Sequence, residues 1–142
     1  MTGAMENLKA FFLNDRFAKR ASIELLSVTP GYAVARMPLE PWHLNAVGTV
    51  QGGAVFTLAD LAFAAASNAH GHVAVAINVS ITYMKAATTG VLRAEARELS
   101  ANPRLATYTV DVTDDSGALV AIFQGLVYRK KETLESLMQP AS

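Results

Sequence analysis

Cysteine is absent from the 142 residues, which excludes a disulfide framework, a thiolate nucleophile and cysteine-ligated zinc together and is compatible with a reducing compartment. Net charge is absent as well. Twelve Lys and Arg balance twelve Asp and Glu, without the basic stripe that phosphate-backbone binding requires, so nucleic acid is not an expected partner. No apolar run is long enough to cross a bilayer: the stretch from Ala54 to Ala66 is interrupted by Asp60, and Ala10-Phe11-Phe12-Leu13 is too short even for a signal-peptide core. A cytoplasmic chain without a membrane partner is the expectation. Histidine is scarce, and His43, His70 and His72 lack the helical HExxH spacing of a zinc site, so no metal is expected. Ser67 and Ser80 stand outside any GxSxG elbow, which leaves a serine hydrolase unsupported.

Apolar surface, in contrast, is plentiful. Hydrophobic residues make up 51% of the chain and charged ones 17%, with a mean hydropathy of +0.25. That is more than one small domain hides, so residues 1–142 are read as one domain that oligomerises.

Periodicity sets the order of elements. Leu8, Phe11 and Phe12 at i, i+3 and i+4 predict an amphipathic helix over about residues 4–18. Two strands, Ile23 to Thr29 and Tyr32 to Pro38, flank the Pro30-Gly31 turn pair and predict a hairpin. A loop from Glu40 to Gly53 follows, longer than ordinary connections and therefore a candidate for function. From Gly53 to about Asn68 the chain is rich in Ala, Leu and Phe on every side, the pattern of a buried helix. Val73, Val75, Ile77, Val79, Ile81 and Tyr83 then alternate with smaller or polar residues, predicting a long strand. Strands at Val91 to Leu99, Leu105 to Thr113 and Leu119 to Tyr128 complete an antiparallel meander with tight turns at Asn102-Pro103 and Asp114 to Gly117. The order αββαββββ is that of an α+β protein whose curved sheet wraps the central helix.

Asp60 is the informative residue. It is the one charged side chain between Glu40 and Lys85, and it lies in the middle of the apolar helix with no Lys or Arg at i±3 or i±4. An ionised carboxylate there is costly without a partner. Either it reaches a backbone amide or a distant Arg93 or Arg104, or it is held beside a reacting group. Gly52-Gly53 opens the same helix and presents bare backbone N–H groups at the positive end of its dipole, suited to an oxyanion. Gly52 and Asp60 are eight residues apart, about 12 Å along a helix, too far to share one carbonyl group. Two antiparallel copies related by a two-fold would bring each Asp60 to the partner's Gly52. In the loop, the amides of Asn45 and Gln51 could orient a carbonyl or a water, or make ordinary loop hydrogen bonds. Leu58, Leu61 and Phe63 read as core.

The residues His43-Leu44-Asn45, Gly48-Thr49-Val50-Gln51-Gly52-Gly53 and Phe56-Thr57-Leu58-Ala59-Asp60-Leu61-Ala62-Phe63-Ala64 resemble the PaaI-like, phenylacetate-pathway branch of the hotdog-fold acyl-CoA thioesterases, with Ile81-Thr82-Tyr83-Met84 matching the strand after the helix. The resemblance implies hydrolysis of an acyl-coenzyme A thioester, with an aryl-acetyl or medium-chain acyl group. Asp60 would be general base or nucleophile, Gly52 the carbonyl-polarising N–H, and Asn45 and Gln51 the positioning groups. Gly53, His43, Phe56 and Lys85 would touch substrate, Lys85 through the CoA phosphates along with candidates Arg93, Arg104, Arg129 and Lys130. Phe56 and Phe63, with loop residues near Trp42, would line the acyl pocket. It further implies a homodimer, paired into a tetramer, with no cofactor beyond the substrate's own CoA. Many relatives carry histidine where this chain has Gln51, which hydrogen-bonds but does not titrate, so an orienting role is expected there. A hotdog hydratase and a non-catalytic acyl-CoA sensor are the alternatives.

Overall fold

The computed structural model describes residues 2–138. Two short helices, α1 (Thr2–Phe12) and α2 (Arg16–Arg20), precede the hairpin β1 (Glu24–Thr29) and β2 (Tyr32–Pro38). A 3-10 turn at Pro41–His43 leads to the central helix α3 (Gly52–Asn68). Then come β3 (His72–Tyr83), β4 (Val91–Ala101), β5 (Leu105–Thr113), β6 (Leu119–Thr133) and a terminal turn of helix, α4 (Leu134–Met138). The strands form one antiparallel sheet in the order β1-β2-β4-β5-β6-β3. All six pack against α3, so the expected hotdog arrangement, a curved sheet around a buried helix, is what forms.

Three local expectations are corrected. The N-terminal helix is two pieces, because α1 unwinds through i−3 bonds at Leu13, Asn14 and Asp15 and the Asp15 carboxylate accepts the Ala18 N–H at 3.0 Å to start α2. The last four strands are not joined throughout by tight turns. β4, β5 and β6 do form a meander, but β3 pairs with β6, and residues 84–90 carry the chain across the sheet to β4. Nor does β3 keep one face. A bulge between Ala76 and Asn78 reverses its alternation, so that Ala74 and Ala76 share a face with Val127, while Val79 and Ile81 share that same core face with Gly125 and Phe123. Val73 and Val75 therefore turn to the opposite side of the sheet.

The core is centred on the inward face of α3, where Leu58, Ala59, Ala62, Ala65 and Ala66 are fully buried. Phe63 lies with its ring centroid 5.3 Å from that of Phe123 and 5.6 Å from that of Tyr108. It stands directly over Gly125, where an added Cβ would come within 2.5 Å of the ring. Gly125→Val should accordingly lower stability by about 1–3 kcal/mol through overpacking, read as a lower urea midpoint at unchanged m-value. The opposite stripe of α3, running through Gly53, Thr57, Asp60 and Ala64 at helical spacing, is not fully covered.

Candidate active site

The start of α3 is built by the loop before it. Gln51 is the N-cap: its backbone N–H donates to the His43 carbonyl at 2.7 Å, and its side-chain Oε1 accepts the Gly53 N–H at 3.3 Å. Gln51 thus orients the loop and the helix start, a task that needs an acceptor and no titrating proton. Gly52 is the first helical residue, and among the described residues its N–H has no acceptor. Its carbonyl accepts the Tyr83 hydroxyl at 2.8 Å, and a Cβ at Gly52 would stand 3.1 Å from the tyrosine ring. A free N–H at the positive end of a helix dipole, on a residue with no side chain, has the chemistry to donate to an oxyanion.

Gly52, Tyr83 and Lys85 line a cavity of about 410 Å³ together with Thr49, Val50 and Val55. Tyr83 was not among the residues singled out for the site, although its place at the end of Ile81-Thr82-Tyr83-Met84 is the signal that could have found it. Lys85 donates to Asp114 at 2.5 Å on the rim. The other cations proposed for the CoA phosphates are elsewhere. Arg93 sits 4.0 Å from Glu95, Arg104 donates to the Tyr128 hydroxyl, and Arg129 spans Glu98 and the Asn102 carbonyl; Lys130 is exposed.

Asp60 lies two turns further along α3, half-buried. Neither Arg93 nor Arg104 reaches it, and no hydrogen bond to it occurs among the described residues, so the purely structural explanation of a paired carboxylate is not what forms. Its carboxyl is pushed above the usual aspartate value, first by burial and second by the nearby Asp15 carboxylate. Asp15, the cap of α2, was also missed; the only signal was the polar Asn14-Asp15 pair interrupting the helical pattern.

His43, expected to touch substrate, and Asn45, expected to position the reacting groups, both make hydrogen bonds within the protein. His43 is 3% exposed; its Nδ1 accepts the Glu40 N–H at 2.8 Å and its Nε2–H donates to the Ala21 carbonyl at 2.6 Å. With both ring nitrogens occupied inside the wall, it joins the loop to the end of α2 and has nothing left for a ligand. His43→Leu should cost about 1–3 kcal/mol by stranding two backbone groups, seen as a lower thermal midpoint. Asn45 turns inward as well: Oδ1 accepts the Val47 and Thr49 N–H groups at 3.0 and 3.2 Å, and Nδ2 donates to Thr49 Oγ1 at 3.1 Å. It shapes the loop before the helix and leaves one amide proton for a ligand. Phe63 belongs wholly to the core and Trp42 stands 65% exposed. Phe56 is half-buried against Phe123 on the sheet, and Gly53 is exposed beside it.

β3 is the sheet edge beside this stripe of α3, twelve residues long and apolar. Ile77, Tyr83 and Met84 are about half-exposed along and just beyond it. Such an edge is a template for another strand. Among the described residues, no helix is long and apolar enough to cross a membrane.

Comparison with known proteins identifies the family. The family model of the thioesterase superfamily matches residues 47–121, the segment that holds Gly52, Asp60, Tyr83 and Lys85. The acyl-coenzyme A thioesterase PaaI of Escherichia coli is 32% identical over 89% of this chain and 91% of its own length. Its solved structure superposes with a TM-score of 0.86, covering 90% of this chain and 94% of that one. The human acyl-coenzyme A thioesterase 13 is 35% identical over 70% of this chain and 74% of its own length.

Proposed function

The chain belongs to the thioesterase superfamily and is an acyl-coenzyme A thioesterase of the PaaI-like kind, and from that premise we propose that its active sites are shared between two copies joined at β3. The observation that carries this reading is the separation of the two candidate groups. Asp60 and the free Gly52 N–H are on one continuous helix, about 12 Å apart, while the incompletely covered stripe of α3 and the apolar edge β3 adjoin. A two-fold that pairs the β3 edges would lay the α3 stripes antiparallel, each Asp60 beside the partner's Gly52.

In that arrangement the thioester carbonyl takes a hydrogen bond from the partner's Gly52, and Asp60 draws a proton from the attacking water. The tetrahedral oxyanion forms against the N–H and the helix dipole, and collapse expels the CoA thiolate. Burial and Asp15 make the ionised Asp60 a stronger base than an exposed aspartate. Attack by Asp60 itself, through a mixed anhydride, is the competing chemistry; label on Asp60 after a single turnover in heavy-oxygen water would establish that route, since direct attack by water places the label only in the product acid. Lys85, on the rim of the Gly52 cavity, is the cation we assign to a CoA phosphate. The chemistry needs no further cofactor.

We assign aryl-acetyl or medium-chain acyl groups as substrates, a cytoplasmic location, a role in phenylacetate degradation, in keeping with the phenylacetic acid degradation operon of the E. coli relative, and a dimer of dimers. The test is release of free thiol from a panel of acyl-CoAs by the purified protein. Turnover highest on phenylacetyl-CoA or medium chains is expected. Binding without turnover would overturn the enzymatic reading in favour of a sensor, and a stable active monomer would overturn the shared site.

A further inference from the structure

We propose that the cavity enclosed by α1, α2 and β1 receives the acyl group of the substrate, so that the two N-terminal helices are a specificity cap; the proposal rests on the thioesterase reading of Asp60. This cavity has a volume of about 640 Å³, in the range that encloses a small organic ligand. Phe12 comes from α1, Ile23 and Leu26 from the chain at β1, and Leu61 from α3. Leu61 follows Asp60 in the chain, and Asp15, which lines the same cavity, is the one charged group that acts on Asp60. Asp60 is not itself in the lining, and these two neighbours put the cavity next to the reacting carboxylate. The Gly52 cavity cannot serve the same Asp60, since it lies at the far end of α3. A third, of about 250 Å³, is bounded by Ala69 just past the helix's C-terminal end. In the two-fold dimer, a substrate would enter past the partner's Gly52, present its carbonyl to Asp60, and continue into the cavity under α1 and α2 of the Asp60 chain.

The chemistry of the lining selects the occupant. Its wall is mainly apolar, and the charged groups at its margin are three carboxylates, Glu6, Asp15 and Glu24, against two lysines, Lys9 and Lys19. An uncharged alkyl or aryl acyl group suits it, and an acyl group ending in a carboxylate does not. The elements α1, α2, β1 and β2 all precede residues 47–121, the part matched by the family model. The cap is anchored by Ala18, buried against the core, while Ala10 is an exposed residue on the cavity margin, so a larger side chain can be introduced there with little demand on the fold.

The test compares wild type, Ala10→Trp and Phe12→Ala on acetyl-, hexanoyl-, octanoyl- and decanoyl-CoA. Each buried methylene is worth about fourfold in kcat/KM. Ala10→Trp, by excluding two or more, should lower the octanoyl-to-acetyl ratio at least about tenfold, and Phe12→Ala should move the optimum to longer chains. Ratios unchanged within twofold in both variants would overturn the cap. Calorimetric binding of the same acyl-CoAs to Asp60→Asn, with and without Ala10→Trp, keeps this separate from turnover. If no acyl-CoA is hydrolysed, the thioesterase reading fails on its own, while affinity that rises with chain length and loses that rise with Ala10→Trp supports the cavity. Affinity independent of chain length overturns it.

Discussion

Asp60→Asn is expected to lower kcat for acyl-CoA hydrolysis by about 10²–10⁴-fold, the range for loss of a general base, while making the protein more stable at neutral pH. The two effects have one cause. Among the described residues Asp60 has no donor to hold its ionised form, and burial and Asp15 both disfavour that form. Its folded-state pKa is therefore above its unfolded one. Between those values the native state carries the additional proton, so stability falls as pH rises through the window and the full penalty stands above it. Asparagine has the same shape without the charge. The increase in Tm over wild type should be greatest at neutral and alkaline pH and vanish below the ordinary carboxylate range, where Asp60 is protonated in both states. Thermal melts across pH, set beside thiol-release rates, read both effects. A variant that lost activity and stability together would mark Asp60 as a structural group instead.

How far such a site is legible in sequence depends on whether a residue's role is local. The Pro30-Gly31 hairpin, the buried α3 and the isolation of Asp60 on it follow from periodicity and turn chemistry, and each forms as read. The position of β3 does not follow, because its partner β6 is about forty residues away and an alternating strand carries no mark of which neighbour it takes. The bulge near Ile77 was hidden for the same reason: six apolar residues at period two look like one face, and only the pairing with β6 shows the reversal. His43 and Asn45 stand in the recognisable loop motif, yet their hydrogen bonds are spent on Ala21, Glu40, Val47 and Thr49. A motif residue that builds the frame looks, in sequence, the same as one that touches the ligand. Asp15 and Tyr83 were missed because they meet α3 only after folding.

Mixing two inactive variants should restore activity if the sites are shared. Gly52→Pro removes the N–H proposed as oxyanion donor. Proline is well suited to a first helical position, where its fixed φ fits and the missing N–H had no acceptor to lose. The Tyr83 ring, 3.1 Å from the new Cβ, is about half-exposed and has room to shift. The expected loss is about 10²–10³-fold in kcat, as for removal of one oxyanion donor. In a heterodimer of Gly52→Pro with Asp60→Asn, both defects fall in one site, and the other combines an intact Asp60 with the partner's Gly52. Random reassociation makes half the dimers mixed and half of their sites whole, so about a quarter of wild-type activity should return. If each chain instead carried a complete site, every site in the mixture would hold one defect, and no activity would return. Unfolding and refolding the two variants together, with each refolded alone as control, separates these outcomes by a difference far larger than the error of a thiol assay.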